Sequence, residues 1–178
     1  MRSRYMETPA PQRKLLQRKE LARRSQDMRA EHLNLVLTNG CFDILHVGHV
    51  RYLFAARALG DALAVGVNGN ASARKLKGPG RPVVPAEERA EIIAALECVD
   101  FVTIFDEETA SELVGDVKPH FYVKGGDYAS DARADTFPVE GHIVLSYGGV
   151  VKTIEYVPEH STTELVARMR QLAEQESP

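Results

Sequence analysis

Residues 33–60 read LNLVLTNGCFDILHVGHVRYLFAARALG, and this stretch carries the plan of the whole chain. LNLVLT (33–38) is a mainly apolar run of strand length, ended by the turn-forming pair Asn39-Gly40. VRYLFAARALG (50–60) then sets apolar residues at helical spacing and stops at Gly60. A strand that hands over to a helix in this way opens a strand–helix–strand unit. The remainder repeats the alternation. ALAVGVN (62–68), FVTIF (101–105), HFYVKGG (120–126) and GGVVKTIEYV (148–157) read as strands. PAEERAEIIAALECV (85–99), ETASELVGDV (108–117) and TTELVARMRQLAEQ (162–175) read as helices, the first begun by Pro85 and favoured by Glu87 and Glu88 at its positive end. A Gly/Pro-rich basic loop is expected between residue 68 and Pro85, and 129–142 show no period. Apolar strands alternating with helices predict an α/β fold: a doubly wound, mostly parallel five-stranded sheet in three αβα layers.

Length and composition agree. At roughly 100–200 residues per domain, 178 residues make one domain and a short appendage. The division expected is a basic, partly helical extension over 1–31 and a folded domain over 32–178, with Leu15, Leu16 and Leu21 at helix-like spacing in the extension. With 44% hydrophobic and 26% charged residues, wholesale disorder and a coiled-coil rod are excluded. No apolar run approaches the roughly 20 residues of a membrane span, so a cytoplasmic protein without membrane partners is expected. Cys41 and Cys98 lie far apart with no paired spacing, which argues against a disulfide framework or a zinc site.

The net charge of −3 conceals an asymmetry. Residues 1–31 carry nine Lys/Arg against four Asp/Glu, while the rest carries 13 bases against 21 acids. A domain that acidic is a poor nucleic-acid partner, because affinity there comes mainly from neutralised phosphates. Yet Arg74, Lys75, Lys77, Arg81 and Arg89 crowd into one 16-residue stretch. Local positive charge on an acidic background points to a small polyanionic ligand.

In a doubly wound sheet, ligands sit outside the carboxyl ends of the strands, where strand order reverses. Four segments reach that edge: TNGCFDILHVGH (38–49), the basic stretch 74–89, VKGGDY (123–128) and HSTTEL (160–165). His46 and His49, three apart, share one face of the first helical turn. Gly48 between them lets a phosphate approach the backbone, and a helix N-terminus offers free N–H groups and positive potential. Each feature has an ordinary structural alternative. One histidine can be a cap and the other a packed ring, Arg89 can pair with its helix glutamates, and Ser161 with Glu164 has capping-box spacing.

The ordered set T-N-G-C-F-D-x-x-H-x-G-H, K-x-K (Lys75, Lys77), E-x-R (Glu87, Arg89) and S-T-T (161–163) resembles the nucleotidyltransferase superfamily of cytidylyl- and adenylyltransferases, from about Leu33 to Arg170. The resemblance implies a Rossmann-like nucleotidyltransferase fold. N-G-C-F-D, L-K-G-x-x-R-P (76–82), V-K-G-G-D-Y (123–128) and Y-G-G (147–149) are most similar to the adenylyltransferase part of the enzymes that make ADP-heptose. It follows by resemblance that AMP passes from ATP to D-glycero-β-D-manno-heptose 1-phosphate, giving ADP-heptose and pyrophosphate. The alternatives are a cytidylyltransferase acting on glycerol 3-phosphate or a similar alcohol phosphate, and a non-catalytic nucleotide-binding domain. Cytidylyltransferases of that kind usually carry arginine five residues before S-T-T, where this chain has Tyr156. A dinucleotide-binding G-x-G-x-x-G is absent after the first strand.

On this reading His46, His49, Lys75 and Lys77 are catalytic. Asn39, Gly40, Cys41, Phe42, Gly48, Arg89, Ser161, Thr162 and Thr163 bind the nucleotide together with His46, His49 and Lys77. Asp43, Lys75, Arg81, Lys124, Asp127 and Tyr128 meet the sugar phosphate. The lysines are expected on a mobile loop flanked by Gly78 and Gly80. Mg²⁺ would bridge the ATP phosphates through water and few protein ligands. A homodimer is expected by resemblance, and the residues before the first strand are too few for a kinase, so a separate sugar kinase is expected.

Overall fold

The five apolar segments pair side by side because each strand's two faces must be covered, and the computed structural model shows how. It describes residues 11–126, 128–155 and 162–175. The strands are β1 (Leu35–Gly40), β2 (Ala62–Asn68), β3 (Phe101–Phe105), β4 (Phe121–Gly125) and β5 (Val150–Ile154). They form one sheet in the order β3-β2-β1-β4-β5, with every pairing parallel. The expected doubly wound α/β architecture is therefore borne out, and the sheet is wholly parallel.

The helices are α1 (Arg18–Ala30), α2 (Val47–Arg57), α3 (Asn70–Lys77), α4 (Ala86–Ala94), α5 (Ser111–Val117), α6 (Val139–Ser146) and α7 (Thr162–Gln175). Right-handed crossovers running from β1 to β3 put α2 and α4 on one face, where Leu53, Ala56, Ala90 and Ile93 close over Val36, Leu63, Val65 and Val123. From β3 the chain jumps back past β2 and β1 to β4, which throws α5 and α6 onto the other face. There Leu113, Val114 and Val144 cover Leu35, Leu37 and Tyr122. The reversal between β1 and β4 opens the crevice in which such sheets take ligands.

Two helices were not legible in the sequence. Residues 70–77, expected as loop, form α3; its start is anchored through Ser72, whose hydroxyl accepts from Asn68 Nδ2 at 2.8 Å and donates to Glu107 O at 2.9 Å. Residues 139–146 form α6 although Gly141 and the apolar residues around it give no amphipathic stripe. Phe137 packs so close to Gly141 that a Cβ there would lie 2.4 Å from its ring.

The basic N-terminal segment belongs to the packing of the domain from residue 11 onward. Leu16 N donates to Val102 O at 2.8 Å beside a parallel bridge between Leu15 and Val102, on the outer side of β3. Leu21 of α1 is fully buried in the same core as α5 and α6. Arg18 pairs with Glu107 and reaches Glu112 at 3.4 Å. No helix among the described residues is long and apolar enough to cross a membrane.

Candidate active site

β1 ends in Thr38-Asn39-Gly40 and the chain turns through residues 41–46 into α2. The turn is sharp enough to hold Phe42, a non-glycine residue, at φ 46°, a left-handed conformation that persists only when surroundings enforce it. Its ring is buried and packs edge-on against His49, with centroids 5.3 Å apart.

His46 occupies the N-cap position of α2 with extended backbone, and Gly48 and His49 follow in the first turn. The two imidazoles stack at 3.9 Å between centroids, tilted by 31°. His46 N donates to His49 Nδ1 at 3.4 Å, so His49 carries its proton on Nε2 and can donate from there. Burial first, then the His46 and Lys77 charges, lower the His49 pKa from 6.5 to about 4. At neutral pH His49 is therefore an uncharged donor. The capping contact takes Nδ1 and leaves the proton on Nε2 for another partner.

The lysines stand differently from the loop expected. Both are exposed residues in the last turn of α3, and the glycine loop follows them. Two residues apart on a helix is about 200° around the axis, so the pair leaves α3 on opposite sides. Lys77 is the one whose charge reaches His49 and Cys41. Burial raises the Cys41 thiol pKa despite Lys77, which agrees with a packed side chain and not a nucleophile.

Arg89 and Asp43 lie beneath the surface. Arg89 is 1% exposed. Its Nε donates to Val84 O at 2.8 Å, one terminal nitrogen to Cys41 O and to Asn68 O at 2.8 Å, and the other to Asn70 Oδ1 at 3.2 Å. This guanidinium ties together the end of β1, the end of β2, α3 and the loop before α4. Asp43, 4% exposed, accepts from Val83 N at 2.7 Å and Val84 N at 3.0 Å and pairs with Arg81 Nε at 2.6 Å. Arg81 and Asp43 thus face each other and fasten the basic loop to the histidine turn.

At the end of β4, Lys124 Nζ donates to Asn39 Oδ1 at 3.3 Å and lies 4.8 Å from the centre of the Tyr128 ring. Burial lowers its pKa. Thr162, at the start of α7, sets its hydroxyl 3.5 Å from Ile44 O, which brings that helix N-terminus against the β1–α2 turn. Asp127, Ser161 and Tyr156 lie outside the described residues, as does the side chain of Thr163. His46, His49, Lys77, Asn39, Lys124 and Thr162 are therefore drawn to one edge of the sheet, while Lys75 stands off on the far side of α3. Sequence reasoning missed Tyr122, whose hydroxyl donates to Asn39 Oδ1 at 2.7 Å, and Tyr52, whose hydroxyl lies 2.6 Å from Thr38 Oγ1 and donates to Val123 O at 3.1 Å. Strand register puts the Tyr122 hydroxyl at the site, and the seat of α2 against β1 and β4 puts the Tyr52 hydroxyl there.

A wound parallel sheet with imidazole, ammonium and hydroxyl groups gathered at its reversal point is a nucleotide-handling α/β domain. Residues 37–168 match the cytidylyltransferase-like family, and the chain belongs to that family of nucleotidyltransferases. It is 50% identical over 147 residues to the bifunctional protein HldE of Alcanivorax borkumensis, covering 82% of this chain and 30% of that protein. It is also 50% identical over 141 residues to the HldE of Syntrophotalea carbinolica, covering 79% and 28%. The chain thus spans about 30% of the length of these relatives. A solved structure, the lipopolysaccharide core biosynthesis protein from Thermoplasma volcanium, superposes with a TM-score of 0.57 at 29% identity, covering 70% of this chain and 97% of that one.

Proposed function

We propose that this chain is an adenylyltransferase that moves AMP from ATP to a sugar 1-phosphate, D-glycero-β-D-manno-heptose 1-phosphate, and releases pyrophosphate. The observation that carries the proposal is the convergence of His46, His49, Lys77 and the Thr162 turn on one sheet edge, beside Lys124 and Asn39. The likeness to HldE and the motifs shared with ADP-heptose-forming enzymes support adenine as the base and heptose as the sugar.

The residue types suit the reaction. A sugar phosphate oxygen is ionised near neutrality, since a phosphate monoester's second pKa is about 6. It attacks the α-phosphorus of ATP; the new P–O bond forms as the bond to the bridging oxygen breaks, and the electron pair leaves with pyrophosphate. No side-chain nucleophile or general base is needed. What the protein must supply is alignment of two anions and stabilisation of charge on the departing oxygens. His46 and His49 donate to the nucleotide phosphates from the start of α2, and a neutral His49 does so without competing for a proton. Lys77 neutralises the leaving pyrophosphate, Thr162 with Ser161 and Thr163 receives it at the start of α7, and Lys124 meets the acceptor phosphate. Asp43, Arg81 and Arg89 act by holding these elements together. These donors suit phosphate oxygens and not a hard cation. Mg²⁺ would therefore be carried by the phosphates, where it adds charge neutralisation. A sugar kinase activity must supply the 1-phosphate, and the chain is expected to act as a homodimer in the cytoplasm.

The test is a pyrophosphate-release screen of ATP and CTP against heptose 1-phosphate, other sugar 1-phosphates and glycerol 3-phosphate. ATP with heptose 1-phosphate should lead, and His49→Ala should cost about 10²–10³ in turnover. CTP with glycerol 3-phosphate ranking first would transfer the chain to the alternative reading; no turnover with any pair would leave a binding domain.

A further inference from the structure

Below the phosphate-facing groups, Tyr122 and Glu140, neither of which has a part in the chemistry so far, join Asn39 and Lys124 in one polar cluster. The register Leu37↔Tyr122 sets Asn39 beside Lys124 on the same side of the sheet. Tyr122 is fully buried there. Its hydroxyl donates to Asn39 Oδ1 at 2.7 Å, and Lys124 Nζ donates to the same oxygen at 3.3 Å. Glu140, 5% exposed and accepting Ala110 N at 3.0 Å, borders that hydroxyl from α6. An ammonium has donors only, so the atom it meets must be the amide oxygen, and this settles which way the Asn39 amide lies. With two donors spent on the oxygen, the NH₂ group is turned away from β4. Asn39 is only half-buried and sits at the carboxyl end of β1, beside the strand reversal.

We propose that Tyr122 is a positioning residue: its hydroxyl, with Lys124, locks the Asn39 amide so that the NH₂ faces the substrates as a fixed donor. This rests on the adenylyltransferase reading for its kinetic consequence, but the orientation of Asn39 is a property of the free protein. A phenol held between an amide oxygen and a buried carboxylate keeps its proton, since burial and then Glu140 push its pKa well above the ordinary value. The lock therefore holds across the neutral range.

The experiment is a double-mutant cycle on the full chain. Tyr122→Phe removes one oxygen and keeps the ring. It should lower kcat/KM about tenfold, the order expected of a small misplacement, while the melting temperature moves little. In an Asn39→Ala background the same substitution should cost less than twofold, because its route to the substrates is already gone. An equal loss in both backgrounds, or no loss in either, overturns the proposal. Asn39→Asp is a second arm that leaves Tyr122 untouched. It preserves the oxygen for both donors but replaces NH₂ by an acceptor, and should lose at least tenfold; wild-type turnover there would also overturn it. A third readout does not depend on catalysis. The Asn39 side-chain NH₂ resonances, assigned by their disappearance in Asn39→Ala, should shift in Tyr122→Phe. If the wild type turns over no substrate pair, the functional reading fails, and unmoved NH₂ resonances would sink the lock separately.

Discussion

Arg89→Met separates a structural strut from a nucleotide contact, and its size follows from the hydrogen bonds. The wild-type guanidinium serves four acceptors: Val84 O, Cys41 O, Asn68 O and Asn70 Oδ1. Methionine fills much of the volume but serves none of them. Leaving a buried acceptor without its donor costs about 1–3 kcal/mol; Asn70 is exposed and its Oδ1 keeps Ala86 N as a donor, so at the low end, fitting carbonyls that partly re-pair, the other three together cost about 3 kcal/mol. That is a large part of the 5–15 kcal/mol typical of a domain, and at roughly 2–4 °C per kcal/mol it lowers the melting temperature by roughly 6–12 °C. Arg89→Lys, which keeps the charge but not the planar fork, should fall between. The assay is urea unfolding followed by circular dichroism, with ATP affinity measured in parallel. A variant as stable as wild type that loses only ATP affinity would refute the strut and make Arg89 a direct ligand.

His49 should make the protein sensitive to acid. Its folded pKa is about 4 against 6.5 for a free imidazole, so between those values the unfolded chain binds a proton the folded chain refuses. Stability should decline as pH falls from 6.5 to 4, by up to about 3 kcal/mol at 1.36 kcal/mol per unit. Denaturant midpoints over that range should lose this component in His49→Gln. Asp43→Ala strips the Val83 and Val84 N–H groups and Arg81 of their shared partner. It should cost about 2–3 kcal/mol and raise protease cleavage within 78–85 before global unfolding; resistance equal to wild type would dismiss the latch. Gly60→Ala would place a Cβ 2.6 Å from Asn34 O and 2.7 Å from Val36 Cγ2. That backbone clash should cost about 1–3 kcal/mol in thermal melts, without changing substrate KM values.

The legible part of this molecule is the part set by short-range pattern. Apolar runs of strand length fall on β2 and β3 residue for residue, because a strand covered on both faces must be apolar throughout. α3 escaped because NASARKLK is polar, and its helix is held from outside by Asn68 and Glu107 through Ser72. α6 escaped because Val139–Ser146 scatters its apolar residues around the axis among Glu140, His142 and Ser146 and contains a glycine. Within the site, H-x-G-H could be read from its place between a strand and a helix. The burial of Arg89 and Asp43 could not, since an arginine in a basic stretch looks the same whether it faces solvent or carbonyls.

Sequence alone thus determined the alternation of elements, the parallel wound sheet and the kind of chemistry its carboxyl edge can host, because those depend on residue type and spacing along the chain. Tertiary structure alone decided which members of the basic stretch stay exposed, with Lys77 near His49, and which are buried struts. It also decided how Asn39 is turned and which imidazole nitrogen holds a proton. The turn of Asn39 depends on strand register and on partners more than eighty residues away, Tyr122 and Lys124, distances along the chain over which no local pattern carries information. The proton on His49 depends on how the turn into α2 folds back on its own first residue.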